Sequence, residues 1–207
     1  MPEYIANILQ KYNHPAPKTP EFSPFTCPPI TYGASYIKLI TDCMEPLVST
    51  AKQKRIQQVI RSLLFCARDV GPTPLPALND LTAEQTQSTI KIDKAVSKLL
   101  DYMSTFPNAV IHYSASEMVL HIDFDASYLS FPHARSCAAG HYFLSTKSPN
   151  PHLPPSTPPK PNDPIYTLCK RMRNFLASAA ESEIVALFNT GQEATILRSI
   201  LLEIKHP

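Results

Sequence analysis

The chain has 207 residues, 43% of them hydrophobic, and a net charge of +2, so it can build a core but carries no global basic field to announce a polyanion partner. Only 4 glycines stand against 22 prolines, which excludes a glycine-rich phosphate loop and marks breaks at Pro15 to Pro29, Pro72 to Pro76 and Pro149 to Pro164. Cys27, Cys43, Cys66, Cys137 and Cys169 are odd in number and widely spaced, which argues against a disulfide framework or zinc site and for a reducing compartment, cytoplasmic or nuclear. Cys137 and His141 are close enough in sequence to ligate a metal, but a buried thiol beside a strand histidine accounts for them as well. No apolar run approaches the ~18 residues of a membrane span, and the N-terminus Met1-Pro2-Glu3-Tyr4 lacks the pattern of a secretory signal.

In chain order, Tyr4 to Tyr12 is a short amphipathic helix with Tyr4, Ile5, Ile8 and Leu9 on one side. Asn13 to Ile30 is too rich in proline for regular structure and reads as an extended linker bearing Phe22 and Phe25. Thr50 to Val70 is a strong helix, because Ile56, Val59, Ile60, Leu63, Leu64 and Ala67 recur at helical spacing. Its remaining positions carry Lys52, Lys54, Arg55, Arg61 and Arg68, a solvated face or a surface for nucleic-acid phosphates. Gly71-Pro72 ends it. Leu78 to Gln87 and Ile90 to Thr105 are further helices, the second closed by Phe106-Pro107-Asn108.

The period then changes to two. Val110 to Tyr113 is a strand candidate, and Glu117 to Ser127 alternates, with His121, Asp123 and Asp125 on one face and Ile122 and Phe124 on the other. Gly140 to Thr146 and Ile165 to Arg171 are the next strands, separated by a proline-rich insertion at 147–164. From Phe175 the pattern is helical again. Ala180, Ile184, Leu187 and Phe188 form one apolar stripe, Gly191 is a potential kink, and Ile196, Leu197, Ile200, Leu201 and Ile204 form the next. The fold class expected is mixed α/β: a proline-rich segment over 1–50, a helical region over 51–108, and over 109–207 a three-stranded antiparallel meander with C-terminal helices.

Two carboxylates two positions apart on one strand face repel unless a cation intervenes. Mg²⁺ suits them, since it takes hard oxygen ligands and bridges to phosphate. Paired ions of that kind hydrolyse phosphodiesters when about four carboxylates from different elements converge. Asp123 and Asp125 supply the strand side, and the segment Ser178 to Leu187 offers Glu181 or Glu183 at a helix start, between which periodicity does not choose. A solvated face, or acids favoured by the helix dipole, would explain the same residues.

Three segments carry a resemblance: Leu120-His-Ile-Asp-Phe-Asp-Ala-Ser-Tyr-Leu129, Ala134-Arg-Ser-Cys-Ala-Ala-Gly140-His-Tyr-Phe-Leu144, and Ala177-Ser-Ala-Ala-Glu-Ser-Glu-Ile-Val-Ala-Leu187. In order and spacing they resemble the ribonuclease H domain of copia-type retrotransposon polyproteins, with an aspartate–alanine pair, an arginine–serine followed by glycine, and a serine-rich run into glutamate-x-glutamate. More loosely, Pro2 to Leu9, Val59 to Arg68 and Ala95 to Tyr102 resemble the end of the reverse transcriptase and its connection. The resemblance implies a partial ribonuclease H-like domain whose activity would be Mg²⁺-dependent cleavage of RNA in RNA–DNA hybrids. It implies Asp125 as the first catalytic aspartate and Glu183 as the catalytic glutamate, both metal ligands, with Asp123 a further acid near the metal. Departures accompany it. The polymerase's aspartate pair is absent, and the third aspartate and the last ligand of the family belong to later elements not found in these residues. Weak Mg²⁺ binding, little or no activity, and self-association through an unpaired first strand are therefore expected. Alternatives are a non-catalytic remnant that holds nucleic acid through Lys52, Lys54, Arg55 and Arg61, or through Lys170, Arg171 and Arg173, and a genomic relic without function.

Overall fold

The computed structural model describes residues 3–25, 45–108, 110–131, 135–146 and 161–205. Cys27, Cys43, the end of the first proline-rich run and most of the 147–164 insertion lie outside them. The fold is mixed α/β, and the chain divides into two compact units, Met1–Val110 and Ile111–Pro207.

The first unit is helical: α1 (Tyr4–Lys11), α2 (Thr50–Asp69), α3 (Leu75–Glu84), a short 3₁₀ turn at Gln85–Gln87, and α4 (Ile90–Thr105). α2 starts where the Ser49 hydroxyl accepts the Lys52 N–H, and α3 starts on Pro74, whose fixed φ suits a first helical turn. The apolar stripes meet in one core, where Ile56, Val59, Leu63, Leu78, Val96 and Leu99 have no more than 1% of their surface exposed. Tyr4 donates to the Ser62 carbonyl at 3.0 Å, and the Tyr12 and Ser62 hydroxyls lie 3.2 Å apart, so α1 is tied to α2 by polar contacts as well as by Ile5 and Ile8. The residues after α1 are a docked strap rather than a free linker. His14 Nε2 meets Asp101 at 2.8 Å, the Glu21 carboxylate meets Lys98 at 3.4 Å, the Glu21 N–H donates to Thr105 Oγ1 at 3.0 Å, and Phe22 packs on Phe106. The strap thus runs along α4.

The second unit is a sheet covered by one helix. Its strands are β1 (Val119–Phe131), β2 (Arg135–Ser145) and β3 (Tyr166–Arg171), in order β1-β2-β3 and antiparallel throughout, followed by α5 (Ala179–Glu203). Among the described residues nothing pairs with the outer edge of β1. Val110 to Tyr113 is not a strand. Side chains tie that segment down instead: Asp163 accepts from the His112 N–H, and the Asn162 amide bonds Ser114 on both its N–H and its carbonyl while also reaching the Leu144 carbonyl.

The pairing register sorts the two faces of the sheet. Ala138 packs with Ala186, Met172 and Leu176, with Ala126 and Val185 against them. Gly140 lies under Thr190, and the Tyr142 hydroxyl donates to the Thr190 carbonyl at 3.0 Å. These residues, with their partners Phe124 and Ile122, therefore form the face under α5. The other face carries His121, Asp123, Asp125, Cys137, His141, Phe143 and Cys169. The helix residues turned to the sheet are Ser182, Ala186 and Thr190, all small and all buried. The long apolar side chains of α5 point elsewhere, so the stripe expected to be core, Ile184, Leu187 and Phe188, stands more than half exposed.

Candidate functional site

β1 and the start of α5 hold the acids. The Asp125 side chain is exposed and accepts the N–H of Ala126 at 2.8 Å. A strand N–H taken by the preceding side chain points away from the neighbouring strand, so this carboxylate sits at the outer edge of β1. Asp123 is exposed on the same face, opposite His141. The histidines there are occupied: His121 stacks on Phe143 with ring centres 5.5 Å apart and bonds the Thr146 carbonyl at 2.9 Å, while His141 Nε2 lies 3.2 Å from the Asn162 carbonyl.

The start of α5 separates the two glutamates that periodicity left equal. The Ser178 hydroxyl caps the helix by accepting the Glu181 N–H at 3.1 Å, and the Glu181 carboxylate reaches back to the Ala177 N–H at 2.6 Å. This reciprocal arrangement is a capping box shifted by one residue, which assigns Glu181 to the helix end. Glu183 has no such role. It is exposed and lies on the same line of the helix as Thr190, seven residues before it.

Asp125 and Glu183 do not face each other across the strand–helix junction. Asp125 belongs to the face of the sheet away from α5, and Glu183 rides on the helix over the opposite face. Their hard carboxylate oxygens fit Mg²⁺ in kind. Among the described residues no group of three or more His, Cys, Asp or Glu side chains gathers to hold a metal. Held by these carboxylates, Mg²⁺ would supply charge to a phosphate oxygen and to an attacking water.

The glycine and arginine–serine positions have structural work. A Cβ on Gly140 would lie 2.8 Å from the Thr190 methyl and 3.0 Å from the Tyr142 ring, so glycine is what lets α5 approach β2. Ser136 is buried, accepts the Leu129 N–H at 3.1 Å on its hydroxyl and the Met172 N–H at 2.8 Å on its carbonyl, and so fixes the register shift between Ser127 and Phe131. The Arg135 guanidinium packs over the Phe175 ring at 4.1 Å and bonds the Arg173 carbonyl, tying β2 to the loop that leads into α5. Tyr142 is fully buried, and burial followed by the charge of Glu193 pushes its hydroxyl up to about 12. The Cys137 thiol is also pushed up, first by its hydrogen bond to Cys169 on β3 and then by burial, which suits a packed thiol better than a reactive one. Sequence reasoning missed the parts played by Tyr142 and Thr190. A glycine inside an alternating strand was the one signal that pointed to close helix packing.

The cations divide likewise. Lys52 pairs with Asp93 at 3.2 Å, and Arg55 donates to the Tyr12 carbonyl at 3.3 Å. Lys54 and Arg61 are exposed on the side of α2 away from its core, with Arg68 a further seven residues along the same line. On β3, Lys170 and Arg171 point to opposite faces, and Arg173 lies in the following loop, so these three form no single surface. No helix of the described residues is long and apolar enough to cross a membrane.

Comparison with models of protein families, with curated proteins and with solved structures finds no match in any of the three.

Proposed function

We propose that the chain is a segment of a copia-type retroelement polyprotein, a helical connection unit followed by the opening half of a ribonuclease H-like domain, and that these 207 residues do not by themselves cleave RNA–DNA hybrids. One observation carries the reading. The three motif segments fall on the first strand, the second strand and the helix laid across a three-stranded antiparallel sheet, and Gly140 leaves room for Thr190 of that helix. Inactivity follows from the donor set. Two exposed carboxylates held over opposite faces of a sheet cannot position a two-metal reaction, and loss of positioning costs orders of magnitude in rate.

The test is a cleavage assay on a fluorescent RNA–DNA hybrid in Mg²⁺, comparing wild type with Asp125→Asn. No difference between the two is expected. Turnover that disappears in Asp125→Asn would overturn the inactivity.

A second reading, a nucleic-acid-binding remnant without catalysis, is favoured by the repeat of Lys54, Arg61 and Arg68 at seven-residue intervals on the outer side of α2. Each cation on a phosphate contributes close to one unit of salt slope. If this surface binds, Lys54→Gln with Arg61→Gln lowers the log–log salt slope by about two; hybrid binding with no dependence on either residue excludes it.

A further inference from the structure

At about 100° per residue, the side of α5 opposite Ser182, Ala186 and Thr190 is a ridge formed by Ile184, Leu187, Phe188, Gly191, Thr195 and Arg198, continued by Leu202. Ile184 and Phe188 are 66% and 64% exposed. A helix that is apolar on both sides belongs to a buried environment, yet among the described residues nothing covers this ridge. Gly191 is the unexplained member. It sits mid-helix, where glycine is less favourable than alanine, the helix runs through it unbroken, and a Cβ there would meet nothing within 4 Å among the described residues. Nothing among the described residues requires it to be small. A notch in a ridge of large side chains is what a second helix needs to come close.

We propose that α5 packs antiparallel on α5 of a second copy, the two crossing at Gly191. A two-fold axis through that residue sets Leu187 opposite Thr195, Phe188 opposite Ala194, and Ile184 opposite Arg198, in both directions at once. Leu187 and Phe188 then meet small residues on each half, and Arg198 comes beside the turn that carries Glu181 and Glu183, so unlike charges are brought together. Ile184, Leu187, Phe188 and Leu202 on this ridge are each more than half exposed. This pairing uses the helix and leaves the β1 edge untouched.

Sedimentation equilibrium on the whole chain tests it. The expected mass is twice 23.0 kDa at tens of micromolar, falling to the monomer on dilution. Gly191→Leu fills the notch from open space, so it should keep or raise the Tm of the dilute protein while weakening the dimer at least tenfold. Phe188→Glu should do the same. A monomer at every concentration overturns the proposal. So does a dimer whose dissociation constant is unchanged in both variants, the result expected if copies pair through β1 or another surface.

Discussion

At the scale of the residue, close packing between β2 and α5 depends on a missing methyl group. Adding one at Gly140 meets the Thr190 Cγ2 at 2.8 Å, and that neighbour is held because its hydroxyl donates to the Ala186 carbonyl at 2.9 Å. Gly140→Ala should therefore destabilise the second unit by about 1–3 kcal/mol, the usual cost of overpacking. Thr190→Ser removes the clashing methyl and keeps the hydroxyl, so the double variant should recover much of the loss. Equal losses in single and double variants, measured by urea unfolding, would refute the contact. Tyr142 gives a pH-dependent prediction. Its hydroxyl titrates near 10 in the unfolded chain and about 12 in the folded one, so the unfolded state loses its proton first. Tyr142 then contributes stability that is complete below pH 10 and lost as pH rises through about 12. Tyr142→Phe should show a shallower fall in Tm across that window than wild type.

At the scale of the element, the sequence was legible where a single period competed with nothing. α2 and α4 each carry one clean apolar stripe, and both formed within a residue of the span expected. Val110 to Tyr113 failed because a short alternating run cannot show whether a partner strand exists; here Asn162 and Asp163 take the backbone groups that a ladder would have used. α5 failed differently. It is apolar on several sides, so periodicity cannot say which side faces the sheet, and the small residues Ser182, Ala186 and Thr190 won because they let the helix approach closely. Its start was written more clearly, as Ser178-x-x-Glu181. Ser178→Ala leaves the Glu181 N–H without its acceptor and should cost about 1 kcal/mol. The corresponding change at Ser49, whose bond to the Lys52 N–H is longer at 3.4 Å, should cost less. Circular dichroism on thermal melting separates the two.

At the scale of the whole molecule, a helical unit precedes a sheet-and-helix unit, each with its own core. The candidate acids could be picked from the sequence, but not their arrangement. Alternation fixed Asp123 and Asp125 to one face; which face α5 would choose depended on Ala126, Ala138 and Gly140 being small, and that is visible only once the register is known. In the proposed reading Asp125 and Glu183 are the two remaining donors of a ribonuclease H-like metal site, although the fold holds them over opposite faces of the sheet. A titration of Mg²⁺ into ¹⁵N-labelled protein, followed by amide chemical shifts, tests it most directly. The expected result is weak, millimolar binding that perturbs amides around Asp125 and Glu183 together and is lost in both Asp125→Asn and Glu183→Gln; shifts that leave either site unmoved, or that survive both substitutions, would contradict it.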